Sequence, residues 1–232
     1  MTEFYLDTAN LDEINLIQKW NVISGITTNQ KIFSKEKNVD FYEHIKKILA
    51  INKDYPVSIE GPNSYRGLIS FVNKLYDEHK IFGNAVIKVP MLANGDGLRA
   101  IKHIEDMGYQ TNVTACMTLN QAVLAALAGA SYVSLFYNRM IDWYNETHNA
   151  LHQYAGKEYA LKTIRLFQEF IDENPVGTRL IVGSIRDRTD IEDILTSKPD
   201  IITIPYKIMK DMPQNDMTDK TLKDFEEAFN DY

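Results

Sequence analysis

One cysteine, Cys116, stands alone in 232 residues, so no intrachain disulfide can form. Basic charge is scarce as well. With 25 Lys and Arg against 32 Asp and Glu, the net charge of -7 argues against a general binder of nucleic-acid backbone, whose affinity rests on basic surface. Any phosphate handled here is expected to be small and locally held. Long apolar runs are missing: the longest, Ala122 to Ala130, is too short to span a bilayer. The opening Met-Thr-Glu-Phe-Tyr-Leu-Asp lacks the basic and apolar regions of a signal peptide, so cytoplasm is the expected compartment. In that compartment the Asn-x-Thr triplets at Asn112 and Asn145 are not glycosylation sites. No Gly-x-Gly-x-x-Gly follows the first strand-like run, which leaves dinucleotide binding unsupported.

What is present is a regular beat. A chain with 44% hydrophobic and 25% charged residues and no low-complexity tract can bury one large core. Along it, short β-branched runs alternate with amphipathic stretches. Strands are expected at Phe4 to Leu6, Gly25 to Thr28, Val57 to Glu60, Ala85 to Val89, Gln110 to Thr114, Tyr132 to Phe136, Leu180 to Ser184 and Ile201 to Ile204. Helices are expected at Leu11 to Trp20, Phe41 to Ile51, Tyr65 to His79, Leu98 to Met107, Leu119 to Leu127, Tyr159 to Ile171, Ile191 to Leu195 and Ile208 to Met212. Eight strands separated by helices in this length predict an α/β fold, a (β/α)8 TIM barrel over residues 1–217, with a doubly wound sheet as the rival. Beyond it, Thr218 to Asn230 reads as an additional C-terminal helix with Leu222, Phe225, Ala228 and Phe229 on one face. Having no strand to cover, segment 218–232 is expected to pack on a neighbouring subunit.

Within this beat, Ala85-Val86-Ile87-Lys88-Val89-Pro90 places one lysine in an apolar run. A buried ammonium has its pKa pushed down, which yields the neutral amine that attacks carbonyls; a lysine on an edge strand facing water is the ordinary alternative. In a barrel, chemistry belongs at the C-terminal strand ends, where residues two apart share a side. Polar residues gather there: Asp7, Thr27 and Asn29, Glu60, Lys88, Asn112 and Thr114, Ser134 beside Phe136, and Ser184 with Arg186. A single such residue reads as a cap or turn, but six strands doing so around one lysine point to a site.

These residues carry a family resemblance. Leu6-Asp7-Thr8-Ala9-Asn10, Gly25-Ile26-Thr27-Thr28-Asn29, Val86-Ile87-Lys88-Val89-Pro90, Thr111-Asn112-Val113-Thr114 and Ser134-Leu135-Phe136-Tyr137-Asn138-Arg139 resemble the transaldolase and fructose-6-phosphate aldolase family, nearly end to end. The resemblance implies a class I aldolase-type barrel that needs neither metal nor other cofactor. It implies Lys88 as the Schiff-base lysine, Asp7 as the acid/base at the substrate's C4 hydroxyl, and Glu60 with Thr114 as holders of a proton-shuttling water. Thr27, Asn29, Asn112 and Ser134 would bind the dihydroxyacetone part; Arg139, Ser184 and Arg186 would grip the phosphate. Sugar phosphates are the implied partners, with no nucleic acid and no membrane, and a homo-oligomer, a decamer or pentamer-based ring, is the implied assembly. Glu60 and Phe136 match the family's transaldolases rather than its aldolases, which tend to carry glutamine and tyrosine there. The expected reaction is therefore transfer from fructose 6-phosphate to erythrose 4-phosphate in the pentose phosphate pathway. A lyase is the alternative, and a non-catalytic sugar-phosphate binding barrel a third reading.

Several positions depart from the family pattern. Gln30 stands where proline usually follows Thr-Thr-Asn, Leu92 where threonine is common, and Ala93 to Gly97 lengthens the turn after the lysine strand. Tyr144 to Tyr159 is longer than in short members and is expected to form a loop or lid over the acceptor site. His148 and His152 inside it have an i, i+4 spacing, but no third ligand is evident and no metal site is expected. Cys116 has no neighbouring cation in sequence and reads as packing.

Overall fold

The computed structural model describes residues 1–148 and 154–230. Eight strands, β1 (Glu3–Asp7), β2 (Gly25–Thr27), β3 (Val57–Glu60), β4 (Ala85–Pro90), β5 (Gln110–Cys116), β6 (Tyr132–Phe136), β7 (Arg179–Gly183) and β8 (Ile201–Pro205), pair in chain order and close into a barrel, with β1 against β8. Every pairing is parallel. The expected (β/α)8 barrel is therefore what this chain forms, and the doubly wound sheet is excluded.

The helices are α1 (Leu11–Ile17), α2 (Gln30–Phe33), α3 (Phe41–Ile51), α4 (Tyr65–Asp77), α5 (Asp96–Asp106), α6 (Leu119–Leu127), α7 (Tyr137–Thr147), α8 (Tyr154–Glu173), α9 (Arg188–Leu195), α10 (Tyr206–Asp211) and α11 (Asp216–Asn230). Their starts are written in the sequence. Asn10, Asp40 and Ser64 cap α1, α3 and α4 through side-chain oxygens, and Thr118 with Gln121 and Asp187 with Asp190 form capping boxes on α6 and α9. Outward strand residues such as Leu6, Ile59, Ile87, Val133 and Val182 are buried against this helical shell, which explains why strands covered on both faces read as apolar runs.

Inside the barrel the alternate residues form two layers. Tyr5, Val86, Tyr132, Ile181 and Ile201 make an apolar plug, and Gly25 is needed beside it, because a Cβ there would lie 2.5 Å from the Tyr5 ring. Above the plug the inward residues turn polar. One register row joins Glu60, Lys88, Asn112, Tyr132 and Arg179, so the tilt of the strands carries it from the C-terminal mouth at β3 to the N-terminal mouth at β7. Strand tilt thus decides which residue in a row meets the pocket.

The structure adds to the expected elements in two places and moves the bounds of two others. Residues 30–33 and 137–147 form α2 and α7, which are additional to the expected helices. Within the stretch from Tyr144 to Tyr159, residues 144–147 and 154–159 are helical, with Tyr144 stacked on Tyr159 at 4.9 Å between ring centroids. Strand β7 ends at Gly183, leaving Ser184 in the loop with a left-handed φ of 64°. Helix α11 begins two residues early, at Asp216, and leaves Met217, Leu222, Phe225 and Phe229 exposed.

Candidate active site

Eleven residues line a pocket of about 150 Å³ at the C-terminal mouth: Asp7, Thr27, Asn29, Lys88, Asn112, Ser134, Phe136, Arg139, Gly183, Ser184 and Thr203. Nine of them are the sequence candidates. Lys88 is 5% exposed, and its Nζ donates to the Thr28 carbonyl at 3.0 Å. Burial pulls its pKa below the ordinary lysine value, against the opposing pull of Glu60 and Asp7. Asp7 shows the mirror effect: burial raises its carboxyl above the usual range, while Lys88 and the Thr27 hydroxyl act the other way. The lysine shift favours the neutral amine and the aspartate shift makes its carboxylate the stronger proton acceptor, both within one pocket.

The floor and wall of the pocket are locked by hydrogen bonds. Thr27 Oγ1 donates to Asp7 Oδ1 at 2.9 Å and also contacts the Thr203 hydroxyl. Asn112, fully buried, donates through Nδ2 to Ser58 Oγ at 3.1 Å and accepts from Ser134 Oγ at 2.7 Å. Asn29 lines the pocket while its Oδ1 caps α2 by accepting from the Ile32 N–H at 2.9 Å. Phe136 lines the pocket rather than the core, with the Arg139 guanidinium 5.9 Å from its ring centre.

Glu60, Thr114 and Arg186 lie outside this lining. Glu60 is the register partner of Lys88, and its carboxylate accepts from the Gln30 backbone N–H at 2.9 Å. A proline at position 30 has no such donor, so the departure at Gln30 supplies a bond that ties down Glu60. Thr114 precedes Ala115, whose φ of 62° marks an irregularity in the pairing of β5 with β6. The Thr114 Oγ1 is buried and has no hydrogen-bond partner among the described residues. Arg186 is exposed and held by Asp142, with Nη1 donating to Oδ1 at 2.9 Å. That bond lowers the Asp142 pKa and raises that of Arg186.

Three supports escaped sequence reading. Asn138 donates to the Ser184 carbonyl at 2.8 Å and to Asp190 at 2.6 Å, and Asp190 accepts from the Arg186 N–H at 2.7 Å. This web holds Ser184 in its left-handed conformation. Thr203 was legible in principle, since it is the one hydroxyl in Ile201-Ile202-Thr203-Ile204, the same signal that marked Lys88. The turn after β4 is a plain βα connection: Gly95, with φ 77°, precedes α5, and a Cβ on Gly97 would lie 2.3 Å from the Pro90 carbonyl oxygen. Leu92 accepts from the Gly95 N–H within it. Cys116 is buried with its thiol pushed up to about 12 by desolvation, which makes it inert packing. His148 stacks on Tyr144 at 4.2 Å, and His152 lies outside the described residues.

A closed parallel barrel with a polar pocket around a buried lysine at its C-terminal mouth is the layout of a barrel enzyme. Comparison narrows this. The family described as Transaldolase/Fructose-6-phosphate aldolase matches residues 4–232. A probable transaldolase of Alkaliphilus metalliredigens is 35% identical over 232 residues, covering 97% of this chain and 98% of that protein. A probable transaldolase of Clostridioides difficile is 35% identical, covering 96% and 94%, and probable transaldolase 1 of Bacillus cereus is 33% identical, covering 96% and 95%. The chain belongs to the transaldolase/fructose-6-phosphate aldolase family.

Proposed function

We propose that this chain transfers a dihydroxyacetone unit from fructose 6-phosphate to erythrose 4-phosphate through an imine on Lys88. The observation that carries the reading is one pocket in which Lys88, buried and pulled below the ordinary lysine pKa, sits with the carboxylate of Asp7, whose raised pKa makes it the stronger proton acceptor. The neutral amine attacks the ketose C2 carbonyl and water leaves, giving an iminium. The C3–C4 bond then breaks with its electron pair passing into the iminium as an enamine, while ionised Asp7 takes the C4 hydroxyl proton and an aldehyde departs. The acceptor aldehyde is attacked by the enamine, its oxygen recovers the proton from Asp7, and hydrolysis frees Lys88.

Thr27, Asn29, Asn112 and Ser134 would orient the three-carbon unit, and the locked Asn112 bonds support such positioning. Glu60 and Thr114, whose hydroxyl has no partner among the described residues, would hold the water of imine formation. Arg139 and Ser184 would anchor phosphate, joined by Arg186 once it leaves Asp142. Phe136 supports transfer over cleavage because a phenyl ring has no hydroxyl to protonate the enamine. The work is proposed to take place in the cytoplasm, within the pentose phosphate pathway. The exposed apolar face of α11 is proposed to cover a second copy of the chain, and deleting residues 216–232 is expected to lower the solution mass by light scattering.

Borohydride reduction with fructose 6-phosphate, followed by peptide mapping, is expected to add the three-carbon fragment or the donor to Lys88. No adduct, or one on another lysine, rejects the mechanism and leaves a sugar-phosphate binding barrel. Aldehyde release at equal rates with and without erythrose 4-phosphate assigns the lyase instead.

A further inference from the structure

We propose that Thr203 is a positioning residue for Asp7, acting through Thr27 in a directed chain of two hydroxyls that keeps a proton aimed at the Asp7 carboxylate. The inference rests on the reading of Asp7 as the group that accepts the C4 hydroxyl proton.

A hydroxyl carries a single proton. Ionised Asp7 can only accept, so Thr27 gives its proton to Asp7 Oδ1 at 2.9 Å, and in the neighbouring contact with Thr203 the Thr27 oxygen is then the acceptor and Thr203 the donor. Direction along the chain is thereby fixed from β8 through β2 to β1, and each bond polarises the next. The strands make the contact possible because Asp7 pairs with Thr27 in register, while Thr203 enters from β8 on the opposite side of β1. Thr203 is 8% exposed, and β7 leaves room for it: a Cβ at Gly183 would lie 3.2 Å from the Thr203 methyl carbon. Without the Thr203 hydroxyl, the Thr27 proton is free to rotate away, and the ionised form of Asp7 loses part of its support. A hydrogen bond that favours the charged form lowers a carboxyl pKa, so weakening it raises that pKa. The other charges facing Asp7 are Lys88 on β4, Glu60 on β3, Lys35 beyond α2 and Arg139 on α7, and none of them bonds to Thr203.

The test compares Thr203→Val, which keeps the shape and removes the hydroxyl, with Thr203→Ser, which keeps the hydroxyl. In the transfer assay with fructose 6-phosphate and erythrose 4-phosphate, Thr203→Val is expected to move the acid limb of the kcat/KM profile upward by roughly half to one pH unit. It is expected to lower kcat with donor KM unchanged, and to form the Lys88 borohydride adduct as the wild type does; Thr203→Ser restores the wild-type limb. An unchanged limb in Thr203→Val, or a raised KM with unchanged kcat, overturns the proposal while the imine mechanism stands. Absence of the adduct in wild type overturns the mechanism itself and the proposal with it. If Thr203→Val is inactive, infrared titration of the Asp7 carboxyl in ligand-free protein, assigned by Asp7→Asn, decides: the same upward move supports the chain of hydroxyls, and no move rejects it.

Discussion

The two mouths of this barrel each hold an acid and a base, and the two pairs behave in opposite ways. At the N-terminal mouth, Arg179 Nη2 donates to Glu3 Oε1 at 2.7 Å, and Ser24 Oγ adds a second bond to the same carboxylate. Burial works against both charges, yet Ser24 and Arg179 hold Glu3 below its ordinary pKa, and Glu3 holds Arg179 above its own. At the C-terminal mouth, burial wins instead: Lys88 is pulled down and Asp7 pushed up. Exposure decides the difference. The Glu3 and Arg179 side chains are 39% and 36% exposed and touch directly, whereas Lys88 is sealed in and bonds to a neutral carbonyl. A solvated, touching pair has its charges reinforced; a desolvated pair without direct contact has its pKa values drawn toward each other, the arrangement found where proton transfer is needed.

The largest effect expected from breaking this contrast is at Lys88. Lys88→Met is expected to abolish transfer, by at least about a thousandfold, and the borohydride adduct with it. Because burial opposes the charged amine, the melting temperature should not fall; a drop of many degrees would make Lys88 a structural group like Arg179. Next comes Asp7→Asn, expected to keep the Lys88 adduct while turnover falls about 10²- to 10⁴-fold. Turnover within tenfold of wild type would remove Asp7 from the proton step. At the opposite mouth, Glu3→Gln is expected to leave activity within about twofold and to cost stability of about 1 kcal/mol near neutral pH, the size of a partly exposed pair. Since the folded pKa of Glu3 is depressed, its contribution is present above the ordinary carboxylate range and is lost as pH falls through the folded value. Urea melts of the two proteins should therefore converge in acid, and a difference that persists there would refute the ionic origin. Smallest is Asp142→Asn, which frees Arg186 for phosphate. A surface pair of this kind limits the gain to about fivefold in donor KM. An increase in KM would show that Asp142 helps place Arg186.

Much of this was legible in the chain because parallel strands and capped helices leave local marks. Lys88 in an apolar run, polar residues two apart at strand ends, and Asn10, Ser64 and Thr118 before their helices are signals within a few residues of one another. Nine pocket residues follow from them. Helices α2 and α7 were missed because one is four residues long and the other starts directly at the end of β6 with no side-chain cap to mark its beginning.

The sequence by itself determined the barrel, the buried lysine and the ring of polar strand ends, since each depends on period and local burial. Only the tertiary structure decided what those groups touch. Gln30 anchors Glu60, Asp142 holds Arg186 away from the pocket, Asn138 braces Ser184, and Thr203 reaches Thr27 across 176 positions of chain. Such partners are set by strand order, tilt and closure, which bring distant residues together without leaving any spacing in the sequence to read.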